Sequence, residues 1–162
     1  MITLARLKSL LSYDPATGVF TRIQAAGTAK AGDAAGTITT QGYVQISVDG
    51  ELFLGHRLAW FYTYGRWPDA HTDHVDGDRA NNRIANLREA SAAQNCSNHG
   101  PQTNNTSGAK GVYWSKIRKK WVAQIGVAKR VINLGGFEEF EAAVKARAAA
   151  EVQYQGEFRC QR

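Results

Sequence analysis

One long stretch of this chain has no negative charge. Between Ala90 and Phe137 there is no Asp or Glu, yet seven Lys or Arg occur. That absence argues against a partner of the same sign and is the electrostatic footprint of a polyanion. Cysteine is scarce as well: Cys96 and Cys160 form no CxxC pair, so reduced thiols are expected rather than a disulfide framework or a zinc cluster. No apolar run approaches the length of about 20 residues that a membrane helix needs. No signal peptide is recognised either, so a soluble, cytoplasmic protein without a membrane partner is expected.

What is present fits one domain or two small ones. The chain has 162 residues, 43% of them apolar, with four Trp, enough to bury a core. The net charge of +6 is unevenly placed: residues 1–98 hold nine Lys/Arg against nine Asp/Glu, and residues 99–162 hold eleven against five. Aromatic residues interleave with the second set, which favours a nucleic-acid surface over an ordinary solvated face.

In chain order, Leu4, Leu7, Leu10 and Leu11 share one face of a helix predicted over Thr3–Leu11. Asp14–Gly18 reads as a turn, Val19–Arg22 as a short strand and Gln24–Gly36 as a loop. Tyr43–Val48 alternates with period two, and Asp49-Gly50 is a hairpin turn. His56–Tyr64 is apolar and aromatic, a helix ended by Gly65 and kept ended by Pro68. Gly100–Ala109 is a polar linker. Beyond it come three strands, Lys110–Ser115, Lys120–Val127 and Arg130–Gly135. A helix over Glu138–Gln155 follows, with Phe140, Val144, Ala148 and Val152 at spacing four.

The chemistry concentrates in His71–Asn95. Asp73 offers hard oxygen ligands, and His74 is the side-chain type whose ordinary pKa suits proton transfer near neutrality. Asp76-Gly77-Asp78-Arg79-Ala80-Asn81-Asn82 is turn chemistry. Asn-Leu-Arg-Glu follows as a short strand, and Ser91 caps a helix carrying Gln94 and Asn95. Strand, loop, strand and helix fold back, so Asn95 is expected to return to Asp73 and His74. Other ligand readings are weaker. His71 and His74 form an HxxH spacing without the further soft ligands of a zinc site. The acidic loop lacks the register and terminal Glu of a calcium loop.

The pattern Asp-His, Asp-Gly-Asp-x-x-Asn-Asn, Asn-Leu-Arg, Gln-Asn resembles the HNH (ββα-metal) endonucleases, phage and intron-encoded homing enzymes in particular. The likeness extends over about Gly42–Asn98, including Gly42-Tyr43 and His56-Arg57-Leu58. It implies a metal-dependent endonuclease acting on double-stranded DNA, in a host cytoplasm if phage-encoded. The three signature letters fall on His74, Asn86 and Asn95. The resemblance implies that His74 takes a water's proton, and that Asp73 and Asn95 hold Mg²⁺ or Mn²⁺. It makes Asn86 a clamp on the loop, with Asn82 a similar stabiliser. Arg57 either contacts a phosphate or lies on the helix surface, and His56 reads as a core or helix-start histidine.

Residues 105–158, opened by Asn-Thr-Ser-Gly-Ala-Lys-Gly-Val and closed by Gly-Glu-Phe, resemble the APETALA/ethylene-response-factor DNA-binding domain. That likeness implies a sheet face in the major groove. Tyr113 stands where plant members carry Arg, so their base preference is not carried over. The residues expected at DNA are Tyr113, Trp114, Lys116, Arg118, Lys119, Lys120, Gln124, Lys129 and Arg130, with Trp114 or Trp121 expected to pack beneath the helix instead. The expected architecture is α+β. A nuclease region over 1–98 and a linker over 99–109 precede a three-stranded antiparallel sheet on one helix over 110–158. One active site per chain cuts one strand, and no dimer face is evident, so a monomer is expected. The rival functions are a DNA-binding protein with a dead nuclease motif and an RNA-binding module.

Overall fold

A computed structural model of the chain describes residues 2–92, 94–95, 105–127 and 130–156. The described residues form a mixed α+β structure of small antiparallel sheets with three helices. The chain divides into two compact units, 1–92 and 93–162.

In the first unit, helix α1 spans Leu4–Leu10, and Thr3 caps it by accepting from the Arg6 N–H at 3.2 Å. The helix is one residue shorter at each end than the leucine spacing predicts. Leu11 instead opens β1 (Leu11–Asp14), which pairs with β2 (Val19–Arg22). Leu11 and Tyr13 alternate inward from that strand, so the same apolar residue serves a strand rather than a last helical turn. A three-stranded sheet follows, β3 (Thr37–Ile38), β4 (Val44–Val48) and β5 (Glu51–Leu54). The β4–β5 turn carries positive φ at both Asp49 and Gly50, as a type I′ hairpin requires.

Helix α2 (Gly55–Tyr64) buries His56, Leu58, Ala59, Trp60 and Phe61, and ends at Gly65 with φ 70°. A ribbon of β6 (His71–His74) and β7 (Leu87–Ala90) carries the motif, with a 3₁₀ turn over Ile84–Asn86 before β7. The predicted Asn-Leu-Arg-Glu strand therefore starts one residue late, because Asn86 is held in the turn. Leu7, Leu11, Phe20, Ile46, Leu58 and Leu87 form the centre of the unit's core.

In the second unit, β8 (Val112–Ser115), β9 (Lys120–Val127) and β10 (Arg130–Phe137) form an antiparallel sheet in the order β10-β9-β8. Helix α3 (Phe140–Gln155) packs on it. The spacing-four stripe is corrected here: Ala143, Arg147 and Ala150 are buried, Ala148 is exposed and Val152 is 57% exposed. A step of four advances about 40° beyond a full turn, so Phe140 and Val144 reach the sheet and the later members rotate away. Ala143, Arg147 and Ala150 follow the helical repeat more closely.

Candidate active site

Successive residues of a strand leave opposite faces, and the β6–β7 register sorts the site accordingly. Asp73 lies opposite Arg88, and His74 opposite Leu87. Asp73, 4% exposed, accepts two hydrogen bonds from Arg88 on Oδ2, from Nε at 2.9 Å and Nη2 at 2.8 Å. The motif contains this arginine without giving it a role, and only the strand register reveals it as the partner of Asp73. His71 and His74 leave opposite faces, so the HxxH spacing does not form a pair of ligands. Among the described residues no group of three or more His, Cys, Asp or Glu side chains could hold a metal.

His74 is buried, and burial lowers its pKa despite the raising effects of Asn82 and the nearby aspartates. The neutral imidazole is therefore the resting form near pH 7. The His56 ring meets it edge-on, with centroids 5.0 Å apart, and the Tyr43 ring lies 5.4 Å from His56 and 6.1 Å from His74. Burial pushes His56 down to about 3, with His74 and Arg57 adding to the effect. His56 is thus a neutral ring packed against His74, carried by the first turn of α2. The His74 Nε2 lies 3.3 Å from Oδ1 of Asn82, which is itself buried.

The loop between the strands is tied by its own side chains. The Asp76 carboxylate accepts from the Asp78 N–H at 2.8 Å, from Asn81 Nδ2 at 2.6 Å and from Asn86 Nδ2 at 3.0 Å. Burial raises the Asp76 pKa, but the Asn81, Asp78 and Asn86 hydrogen bonds outweigh it and hold the carboxyl below its ordinary value. Asn86 also donates to the Asn81 carbonyl at 2.9 Å and accepts from the Asp76 N–H at 3.1 Å. One amide thus closes both ends of the loop, and the Asn86 carbonyl accepts from the Val75 N–H beside His74. The acidic loop uses its oxygens internally, as Asx turns do, rather than presenting a calcium cage.

Arg57 is exposed on α2, with its guanidinium 5.9 Å from the Trp67 ring centroid. Arg79, to which the motif assigns no role, lies 4.9 Å over the Tyr43 ring and donates to the Gln41 carbonyl at 2.9 Å. Asn95 is helical and half-buried, and it belongs to the second unit.

The residues expected at DNA do not share one face. Lys116, Arg118 and Lys119 are exposed in the β8–β9 turn. Tyr113 pairs with Val122, and Lys120 and Gln124 share that face of the sheet. Trp114 instead opposes Trp121, their rings 5.4 Å apart, and Trp121 meets Phe140 of α3 at 4.8 Å. Trp114 therefore shares the helix-bearing face, and Trp121 is the one that packs beneath the helix. Arg130 is exposed at the start of β10, and Lys129 lies outside the described residues.

Residues 53–96 match the HNH endonuclease family. That segment runs from β5 through α2 and the ribbon, and contains His56, Arg57, Asp73, His74, Asn82, Asn86, Arg88 and Asn95. Over 67 residues the chain is 39% identical to Protein 3.8 of Escherichia phage T7. The shared stretch is 41% of this chain and 55% of that protein, so the chain spans about half the length of the curated relative it matches. No solved structure matches. The family match ends before the second unit's sheet, so the APETALA-like resemblance there gains no support from it. No described helix is long and apolar enough to cross a membrane.

Proposed function

We propose that the chain is a metal-dependent endonuclease of double-stranded DNA. Its nuclease region occupies 1–98, its linker 99–109 and a DNA-binding domain 110–158. The observation that carries this reading is His74: a buried imidazole kept neutral, walled by His56 and Tyr43, within the segment that matches the HNH family. A neutral imidazole is what water activation needs.

Phosphodiester cleavage requires an activated water, neutralisation of the phosphate and help for the departing 3′ oxygen. His74 takes the water's proton. Asn86 holds the loop, and through its carbonyl the chain next to His74, in the working geometry. Arg57 is assigned to a phosphate beside the cut, consistent with its exposure on α2. Asp73 and Asn95 are the residues assigned to Mg²⁺ or Mn²⁺. The donor chemistry fits in kind: a carboxylate and an amide oxygen are the hard oxygen donors such a cation takes. Mg²⁺ commonly takes one or two carboxylates and completes its shell with water and phosphate. The bound cation supplies charge neutralisation at the phosphate and the leaving oxygen.

Affinity is assigned to the second unit, on an APETALA/ethylene-response-factor-like sheet, through Tyr113, Lys120 and Gln124 of one face together with Lys116, Arg118, Lys119, Lys129 and Arg130; Trp114, on the helix-bearing face, drops out of that surface. One such chain nicks one strand, and a double-strand break needs dimerisation or a second binding event. The competing reading is a DNA-binding protein without activity. Supercoiled plasmid incubated with Mg²⁺, with EDTA, and with His74→Ala protein separates them. Nicking that needs metal and His74 supports the enzyme, and duplex binding without any cutting supports the alternative.

A further inference from the structure

We propose that Asn82, itself fixed by Tyr13, is the positioning residue for His74: it holds the ring's plane and keeps the proton on Nε2, leaving the lone pair on Nδ1. The inference rests on the reading of His74 as the proton acceptor in cleavage, and it adds which nitrogen does that work and what decides it.

A neutral imidazole carries one proton, and only the other nitrogen can accept a second. The partner of one ring nitrogen therefore selects the reactive one. The Asn82 Oδ1 lies 3.3 Å from Nε2, and an amide oxygen only accepts, so Nε2 is the donor in this contact. The asparagine is placed to make such a choice stick. It is 2% exposed, and its carbonyl accepts from the Tyr13 hydroxyl at 2.7 Å, across 69 positions of sequence.

Two close approaches fix the same residue. A Cβ at Gly18, where φ is +77°, would come within 2.4 Å of the Arg83 nitrogen and 2.5 Å of the Asn82 carbonyl carbon. A Cβ at Gly55 would come within 2.8 Å of Asn82 Nδ2. Tyr13 and Gly18 both belong to the β1–β2 hairpin, outside the segment that matches the HNH family. The N-terminal hairpin is thus part of the site's support, acting on His74 through Asn82.

The test is ¹⁵N–¹H correlation spectroscopy of the histidine rings in the full chain, at about pH 8, where an ordinary imidazole is neutral. The expected result is that His74 carries its proton on Nε2. Asn82→Ala should mix the two tautomers and lower metal-dependent plasmid nicking about 10–100-fold, the scale of a misplaced catalytic group. Asn82→Asp, which keeps an acceptor, should keep the Nε2–H form. Tyr13→Phe retains the aromatic core contact and should broaden or shift the His74 signals without unfolding the chain, which covers the case where Asn82→Ala fails to fold. A wild-type His74 protonated on Nδ1 would overturn the proposal, as would unchanged His74 signals in both Asn82→Ala and Tyr13→Phe. The ring spectrum needs no activity. An inactive wild type with the expected tautomer would sink the nuclease reading and leave the positioning intact.

Discussion

In the β6–β7 ribbon and its loop, the carboxylates of Asp73 and Asp76 are bound within the first unit. Asp73 holds Arg88, and Asp76 holds the Asp78 backbone, Asn81 and Asn86. In the second unit Lys116, Arg118, Lys119 and Arg130 are exposed, and among the described residues none of them makes an ion pair. The contrast separates two jobs. Chemistry at one phosphate needs a few groups held to within a fraction of an ångström. Affinity for a polyanion needs only cations near phosphates, and their release of counterions makes it depend on salt rather than on exact placement.

The comparison is most severely tested at His74. Replacing it with Ala should reduce plasmid cleavage by about 10²–10⁴-fold, the usual contribution of a general base, while duplex binding in a fluorescence titration stays unchanged. Loss of binding instead would make His74 structural. Next in size is Arg88→Ala, which leaves Asp73 buried without that partner. A loss of about 3–5 kcal/mol in urea unfolding is expected, and a change below about 1 kcal/mol would show that the ribbon does not depend on the pair.

The buried ring beside His74 gives a pH signature. His56 titrates near 3 when folded and near 6.5 when unfolded, so the unfolded chain binds the extra proton first. The stabilising contribution is complete above about pH 6.5 and is lost as pH falls toward the folded value, roughly 3 kcal/mol by pH 4. His56→Leu should flatten that slope, and an unaltered slope would place the acid sensitivity elsewhere. The smallest effect is expected in the second unit. The triple change of Lys116, Arg118 and Lys119 to Ala should weaken DNA binding about evenly across sequences and reduce the salt slope by about one for each phosphate that is no longer neutralised. Cleavage at saturating protein should be unaffected, and an unchanged slope would remove the turn from the DNA surface.

Much of this organisation is legible in the sequence wherever local chemistry decides it. The predicted strand Lys120–Val127 has the bounds of β9, although neighbours Val122 and Ala123 are both buried; Asp49-Gly50 marks the hairpin, and Gly65 marks the end of α2. The motif also points to the loop clamp, since Asn86 sits where its amide meets Asp76 and Asn81. What stays hidden depends on residues far apart in sequence. Leu11 reads equally as the end of a leucine face or the start of a strand until Arg22 pairs with it. Arg88 is an ordinary strand arginine until the register sets it against Asp73. Asn82 looks like any turn asparagine, because neither Tyr13 nor the ring of His74 is predictable from its neighbours. The helix stripe fails for a geometric reason, the drift of a spacing of four against the 3.6-residue turn.

The proposed function stands or falls on His74 as the proton acceptor of a metal-dependent DNA endonuclease. Its most direct measurement is the conversion of supercoiled plasmid to nicked circle by the wild-type and His74→Ala proteins, each with Mg²⁺ and with EDTA. Nicking is expected from the wild type with Mg²⁺, and its loss in both the EDTA and His74→Ala samples. Equal nicking by His74→Ala protein of wild-type stability, or nicking that persists in EDTA, would contradict it.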